Sequence, residues 1–545
     1  MRLASMKRLS VKKKCSIIIG AIVTMYFTVS YTLVKDMVSK NKNIKNISRM
    51  SLKLPNVIVH FDMKGSPPKL SYLKTLLPKL RELGVTGFLM EYEDMFPYDG
   101  RLVNISAKNC YKKSELREFL KVATQVGFDI IPLVQTFGHM EFILKLEEYE
   151  KLREVHNRPD SMCPSRSESQ KLIKEMIRQI IHFHKEIFPL KYIHIGCDEV
   201  YNMNKCYQCL KRDLPDTDIY LNQVKVVTDI VKTFSSDTTI LIWDDMLREI
   251  SINDWERVNL NIEPVYWSYG PNIKVSHVNM MKYHKKFKNI WIASAFKGAD
   301  GRAITYPNLR KRFSNHFNWL TTILDYKFGG ENDIFNFEGI ILTGWSRYSH
   351  FDSPCELLPV AIPSLYLNLL LVQKFKAGVG DVENSDLTYF YMNYLQNDFS
   401  AHLHCDELLI IDYVNVKQCH FDGNELYEIL LNWDIKNTNI LNSIDFYNSI
   451  DDSSNKIYGV DFYSRSHNIN MNNIEKNIDW LNNSLYEVEY FKRKISKVML
   501  QYFDQFFINE YVDFKIYKTN KILNDLFKDL KSMSKVKYWK QRPYK

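Results

Sequence analysis

Eight short apolar runs, alternating with longer amphipathic segments, predict an α/β protein built as a (β/α)8 TIM barrel. Two further observations agree. Polar and aromatic residues gather where the runs end and are sparse where they begin. No glycine-rich phosphate loop follows the first run, which removes the usual cofactor argument for the runner-up, a doubly wound open sheet.

The runs are Val57–Phe61, Gly87–Tyr92, Asp129–Gln135, Tyr192–Ile195, Thr239–Trp243, Pro264–Trp267, Ile290–Phe296 and Gly339–Trp345. Several are continuous stretches of β-branched and aliphatic residues, as expected of parallel strands buried on both faces. Between them, Ser71–Leu83, Lys113–Gln125, Ser167–Phe188 and Ile219–Phe234 read as helices. The barrel is expected over residues 56–375.

Residues 15–34 contain no charge, and twenty residues at helical rise span about 30 Å, one hydrocarbon core. Every charge before them is basic, which holds that side in the cytosol. The expectation is a basic cytosolic segment (1–14), a transmembrane signal-anchor (15–34) and a polar stem (35–55), giving a single-pass type II membrane protein with its bulk luminal or extracellular. Secretion after cleavage near Thr28-Val-Ser30 is the rival. Sequons at Asn46, Asn104 and Asn482 agree weakly with luminal placement. Residues 376–545, rich in Asn, Tyr, Lys and Asp, are expected to form a loop-rich and then helical region, with helices over Leu481–Phe503 and Ile522–Met533.

The chain has 545 residues and a formal charge of +10. Six Lys/Arg before residue 15 and a net +8 between Lys515 and Lys545 leave the middle at −4, which argues against a nucleic-acid groove. Nine cysteines are too few for a disulfide scaffold. Cys206 and Cys209 form the one Cys-x-x-Cys pair, with no second close pair to complete a zinc site; they read first as a local loop feature, with metal binding and a redox pair as the lesser alternatives.

The strand ends carry the chemistry. Lys191–Glu199, Lys-Tyr-Ile-His-Ile-Gly-Cys-Asp-Glu, delivers two adjacent carboxylates to the end of a buried strand. That is costly unless the end opens into a polar cleft; the plainer reading is a helix cap at Asp198 and a solvated Glu199. Elsewhere the ends show Asp62 and Lys64, Glu91, Glu93 and Asp94, Gln135 and His139, Asp244 and Asp245, Trp267, Phe296 and Lys297, and Trp345 and Arg347. A barrel brings them onto one rim. Carboxylates mixed with tryptophans suit a sugar: carboxylates take hydroxyls, and indole takes the apolar face of the ring.

Seven blocks resemble the family-20 glycoside hydrolases, in their hexosaminidase D-like branch. They are His60–Pro68, Glu91–Pro97, Pro132–Glu141, His194–Glu199, Trp243–Leu247, Ala293–Gly298 and Leu342–Trp345. The resemblance implies an exo-acting β-N-acetylhexosaminidase on a (β/α)8 barrel, without metal or organic cofactor, acting on a glycan or glycoconjugate. It implies substrate-assisted retention, in which the substrate's 2-acetamido oxygen is the nucleophile. Glu199 is then the general acid and base, and Asp198 orients the acetamido group. Trp243, Trp267 and Trp345 wall the pocket, and Asp62, Glu93, His139 and Asp245 contact hydroxyls. The acid's pKa is expected to be raised by burial and its neighbouring carboxylate. Two departures stand out. Cys197 occupies a position where the commoner members have Gly, and Ser346-Arg347 follows the last tryptophan where they tend to carry a carboxylate. The branch's relatives look soluble, so a nucleocytoplasmic location is a further alternative. The competing functions are a non-catalytic sugar-binding barrel and an anchored scaffold working through its basic tail.

Overall fold

A computed structural model describes residues 52–328, 335–378, 386–411, 416–448 and 469–541. The expected cytosolic segment, the anchor, most of the stem and the sequon at Asn46 lie outside these residues. Ten strands are described: β1 (Asn56–Asp62), β2 (Gly87–Glu91), β3 (Asp129–Leu133), β4 (Arg153–Val155), β5 (Arg158–Met162), β6 (Tyr192–His194), β7 (Thr239–Trp243), β8 (Glu263–Trp267), β9 (Ile290–Lys297) and β10 (Phe337–Gly344). Eight of them close into a parallel barrel in the order β1-β10-β9-β8-β7-β6-β3-β2. The predicted barrel is therefore observed, with each of the eight apolar runs forming one strand. β4 and β5 form a separate antiparallel hairpin in the connection after β3, which the sequence reading did not include.

The strands alternate inward and outward side chains. The inward set, Ile58, Leu89, Ile131, Leu241, Trp243, Val265, Trp291 and Ile341 among others, fills the barrel. The outward set packs on helices α1 (Leu70–Glu82), α2 (Lys113–Gln125), α3 (Ser167–Lys185), α4 (Asp216–Phe234), α5 (His277–Lys286), α6 (Leu309–Phe328) and α7 (Leu358–Lys376). These helices form because their apolar residues recur at helical spacing. In α3, Leu172, Ile173, Met176, Ile177, Ile180 and Ile181 are buried along one stripe. Burying each such side chain is worth about 1.5–3 kcal/mol.

Among the described residues one helix, α7, is long and apolar enough to cross a membrane, and 89% of its apolar window is buried inside the protein. Its apolar surface is accounted for by the barrel on one side and the C-terminal helices on the other.

The described C-terminal residues are mostly helical: Leu387–Tyr394, Gln396–His402, α8 (Asn424–Asn448), α9 (Met471–Met499) and α10 (Gln505–Met533). Helix thus begins well before the expected Leu481. The sequon residue Asn482 falls mid-helix in α9, whereas Asn104 is exposed in a 3-10 turn. The α9–α10 hairpin is not a loose tail. Its turn lies against the loop after β1: the Lys69 N–H donates to the Tyr502 carbonyl at 2.7 Å, and Pro68 bridges to Phe503. Asn109 Nδ2 donates to Asp504 Oδ2 at 2.9 Å, and Arg347 pairs with Glu510 of α10 at 2.7 Å.

Candidate active site

The barrel mouth holds a cavity of about 490 Å³ whose walls include Lys64, Gln135, His139, Asp198, Glu199, Trp243, Trp267, Tyr269, Arg312, Trp345 and Arg347. Of the nine residues singled out in the sequence, six line it: His139, Asp198, Glu199, Trp243, Trp267 and Trp345. Asp62, Glu93 and Asp245 are not among the lining residues.

The backbone explains how two adjacent carboxylates reach one cavity. In a continued strand they would point to opposite faces. Here β6 stops at His194, and Gly196, Cys197 and Glu199 all have positive φ, at 68°, 65° and 48°. This run of left-handed residues turns the chain over the rim. Gly196 has a second reason to lack a side chain, since a Cβ there would lie 1.9 Å from Gln135 Oε1. Glu93 and His139 also have positive φ, at 47° and 51°, so four of the eight described non-glycine residues with positive φ lie at or beside the site.

His139 joins the two carboxylates: its Nε2 lies 3.4 Å from Asp198 Oδ2 and 3.3 Å from Glu199 Oε2. Asp198 is buried, and its Oδ1 has no hydrogen-bond partner in the protein. Glu199 is half-buried at the mouth, where the Tyr201 hydroxyl donates to its Oε1 at 2.9 Å. Burial lowers the His139 pKa, but the charge of Asp198 and the hydrogen bonds to Asp198 and Glu199 together outweigh it and hold the imidazolium well above the ordinary histidine range. The hydrogen bond from His139 pulls the Glu199 carboxyl below its ordinary value, with burial opposing. This corrects the expectation of a raised pKa at Glu199. The sequence argument counted the neighbouring carboxylate and burial but not the imidazole between them.

Asp245 holds rather than lines. Its Oδ2 accepts the Glu199 backbone N–H at 2.8 Å, and its Oδ1 accepts the Trp267 indole N–H at 3.2 Å. Burial, then the charge of Asp198, push its carboxyl up to about 7. Asp244 behind it is fully buried, takes both guanidinium arms of Arg248 at 2.7 Å, and accepts the Trp267 N–H. Asp62 ties β1 to the last loop, its Oδ2 accepting the Ser346 N–H at 2.7 Å and its Oδ1 accepting the Lys64 N–H. Glu93 pairs with Lys64 at 3.4 Å and with His350, and burial pushes its carboxyl up against the pull of Lys64. These carboxylates back the wall and orient Lys64, Trp267 and the Glu199 backbone.

The aromatic wall is continuous. Trp243 and Trp345 meet at 5.8 Å between centroids, Tyr269 stacks on Trp267 at 5.1 Å and meets Trp345 edge-on at 6.3 Å. Tyr269 and Arg312 were not singled out in the sequence. Tyr269 sits two residues past β8, a signal that the strand-end argument could have used; burial pushes its phenol pKa well up, so the hydroxyl keeps its proton. Arg312 comes from α6 and carries no local signal. It is buried against Asp300 at 3.2 Å, with Nε and Nη1 unpaired in the protein. At the departure noted after the last tryptophan, Arg347 lines the cavity, donating to the Gly65 carbonyl at 2.6 Å and pairing with Glu510.

Cys197 occupies a left-handed position that favours glycine, at a cost of about 1–2 kcal/mol. Its buried sulfur lies 3.1 Å from the Thr136 hydroxyl, and its carbonyl accepts the Tyr220 hydroxyl at 3.1 Å. Cys197→Gly relieves the strain and loses a small buried side chain, so urea unfolding should place it within about 1 kcal/mol of wild type, with activity retained. Cys197→Val, β-branched at the same φ, should lose more than about 2 kcal/mol.

Two carboxylates bridged by an imidazole, walled by tryptophans in the mouth of a (β/α)8 barrel, define a glycoside hydrolase site. Residues 69–274 match the family described as glycosyl hydrolase family 20, catalytic domain. Hexosaminidase D of Bos taurus is 42% identical over 318 residues, covering 56% of this chain and 89% of its own. Hexosaminidase D of Homo sapiens is 40% identical over 339 residues, covering 60% and 68%. Among solved structures, a Flavobacterium johnsoniae chitobiase is similar at 12% identity and a TM-score of 0.48, over 89% of this chain and 73% of that one. The chain belongs to glycosyl hydrolase family 20, as a hexosaminidase D-like β-N-acetylhexosaminidase.

Proposed function

We propose that the enzyme is exo-acting and releases terminal N-acetyl-D-hexosamine, of galacto or gluco configuration, by substrate-assisted retaining catalysis. The observation that carries this reading is the Asp198–His139–Glu199 constellation on the wall of one cavity. Asp198, buried with an unpaired oxygen, accepts the acetamido N–H and stabilises the positive charge that develops as the acetamido oxygen attacks the anomeric carbon. Tyr269, a protonated phenol on the same wall, donates to that oxygen and fixes its direction. Glu199, nearer solvent, protonates the leaving oxygen and then activates water. In the free enzyme the proton resides on His139. Sugar entering against Glu199 displaces water from its carboxylate, which favours passing that proton across the 3.3 Å contact.

Trp243, Trp267 and Trp345 take the apolar face of the ring and the acetamido methyl. Lys64 and Arg312 offer donors to the outer hydroxyls, with Glu93 and Asp62 holding Lys64 in place. The non-catalytic alternative is disfavoured by an imidazole placed between two carboxylates on the cavity wall, which sugar binding alone does not need. The test is hydrolysis of nitrophenyl N-acetylgalactosaminide and N-acetylglucosaminide by the full chain. Absence of turnover on both by folded protein would sink the proposal in favour of a binding module.

The location is part of the same proposal. The charge-free run of residues 15–34 behind a wholly basic flank supports a type II anchor with the barrel in the lumen or outside the cell. After alkaline carbonate extraction the protein should stay in the membrane pellet; full release would overturn the anchor.

A further inference from the structure

The Cys-x-x-Cys pair left aside by the sugar chemistry is part of a larger cluster. Cys206 and Cys209 lie on the segment that leaves Glu199, Cys206 at the N-cap of and Cys209 within a short helix over Tyr207–Leu210. Cys163 follows β5 immediately, and Glu154 is the middle residue of β4. Folding brings the four together. Cys163 Sγ lies 3.2 Å from Cys206 Sγ and 3.7 Å from Cys209 Sγ, and Cys209 Sγ lies 3.3 Å from Glu154 Oε2. One ligand atom from each of the four falls within 4.8 Å of every other.

We propose that this cluster binds one zinc ion through Cys163, Cys206, Cys209 and Glu154, and that the ion fixes the loop carrying Glu199 to the β4–β5 hairpin. A tetrahedral ion with Zn–S of about 2.3 Å and Zn–O of about 2.0–2.2 Å sets its sulfurs about 3.8 Å apart, and sulfur and oxygen about 3.5 Å apart. The three separations given lie about 0.1 to 0.6 Å inside those values, so the ligands need only move apart slightly to admit the ion. A disulfide would use two of the three sulfurs and leave the third against a carboxylate.

The carboxylate is also prepared. Glu154 is 3% exposed, and among the described residues no Lys or Arg pairs with it. Its Oε1 accepts the backbone N–H groups of Lys205 at 2.6 Å and Cys206 at 2.8 Å, which turns Oε2 toward the sulfurs. Such outer contacts are what orient a metal's ligands. Ser165 Oγ lies 3.1 Å from Cys209 Sγ and accepts from Arg212 at 3.3 Å, bringing a positive charge close to the thiolates.

Three thiolates and one carboxylate in a closed tetrahedral set select zinc in a structural role, with no open position for substrate. On binding, three thiols lose three protons to solvent and Zn²⁺ gives up its water; no electron moves. The consequence lies one step away. The Tyr201 hydroxyl donates to Glu199, and the Asn202 amide donates to Asp160 of β5 at 2.7 Å. The ion ties down the same two segments a few residues further on. This site is separate from the sugar cavity and stands whether or not the proposed mechanism does.

The test is metal analysis of the full chain purified without chelator. One zinc per chain is expected, released in step with titration of three thiols by an organomercurial. Replacement of zinc by Co²⁺ should produce intense thiolate-to-metal charge-transfer bands in the wild-type protein, so the result does not depend on a variant folding. Cys206→Ser with Cys209→Ser should lose the metal, and Glu154→Gln should bind it at least about tenfold more weakly. Less than about a tenth of an equivalent of zinc, even after incubation with Zn²⁺ and dialysis, would overturn the proposal. So would peptide mapping that finds Cys163 disulfide-bonded to Cys206 or Cys209. A stoichiometric ion whose removal leaves the melting temperature unchanged would refute its loop-fixing role.

Discussion

Glu199→Gln lowers kcat/KM on an unactivated N-acetylhexosaminide by roughly 10²- to 10⁴-fold, about 3 to 5 kcal/mol of barrier. The substitution keeps the shape, and the amide still accepts from Tyr201, so binding is largely preserved. What disappears is the proton delivered to the leaving oxygen. The loss is therefore largest for poor leaving groups and smaller for nitrophenyl sugars, whose departure needs little protonation. A comparison of the two substrates in wild type and variant checks this, and equal losses on both would remove Glu199 from the acid role. The pH profile follows from the same contact. The His139 pKa is raised, so the shared proton is lost only as pH climbs above the ordinary histidine value of about 6.5. The Glu199 pKa is lowered, so a second proton is added only as pH falls below the ordinary carboxylate value. Wild-type kcat/KM should hold across the window between, with its alkaline limb above the usual histidine range.

The barrel was legible because parallel strands buried on both faces are written as continuous apolar runs, and eight such runs at helix-length spacing leave few alternatives. The rim was legible for a related reason. A carboxylate or indole at the end of such a run has no apolar place to go, which marked Asp198, Trp243, Trp267 and Trp345. That argument finds a residue's position but not its direction. Asp62 and Glu93 end their strands in the same way, yet one turns to the Ser346 backbone and the other to Lys64 and His350. Arg312 and Cys163 were not legible as partners of anything. Each is brought in by tertiary folding, the first from a helix after β9 and the second across 43 residues from Cys206. The C-terminal helices were read as partly loop because Asn, Lys and Tyr dilute their apolar periodicity. Their stripes, such as Ile508, Val512, Ile516 and Leu523 in α10, emerge once the barrel supplies a surface to cover.

Asp198→Asn produces a different signature from the acid variant, and the difference tests substrate assistance itself. The amide leaves Glu199 in place but removes the negative charge facing the acetamido group. It can also present an N–H where an acceptor is needed. Losing one preorganised electrostatic partner of a developing charge costs roughly 10²- to 10³-fold, about 2.7 to 4 kcal/mol. Because the acetamido oxygen must attack whatever leaves, this loss persists with nitrophenyl sugars, in contrast to Glu199→Gln. A thiazoline mimic of the cyclised intermediate should bind wild type tightly and Asp198→Asn more weakly, since Asp198 is the partner of its ring nitrogen. A second readout is independent of the substrate. The charge of Asp198 and its hydrogen bond are the largest contributions raising the His139 pKa, with Glu199 adding to them, so Asp198→Asn should shift the alkaline limb of the pH profile to lower pH. Trapping a stable covalent glycosyl-enzyme on Asp198 or Glu199 would refute substrate assistance and make the pair an ordinary two-carboxylate retaining site.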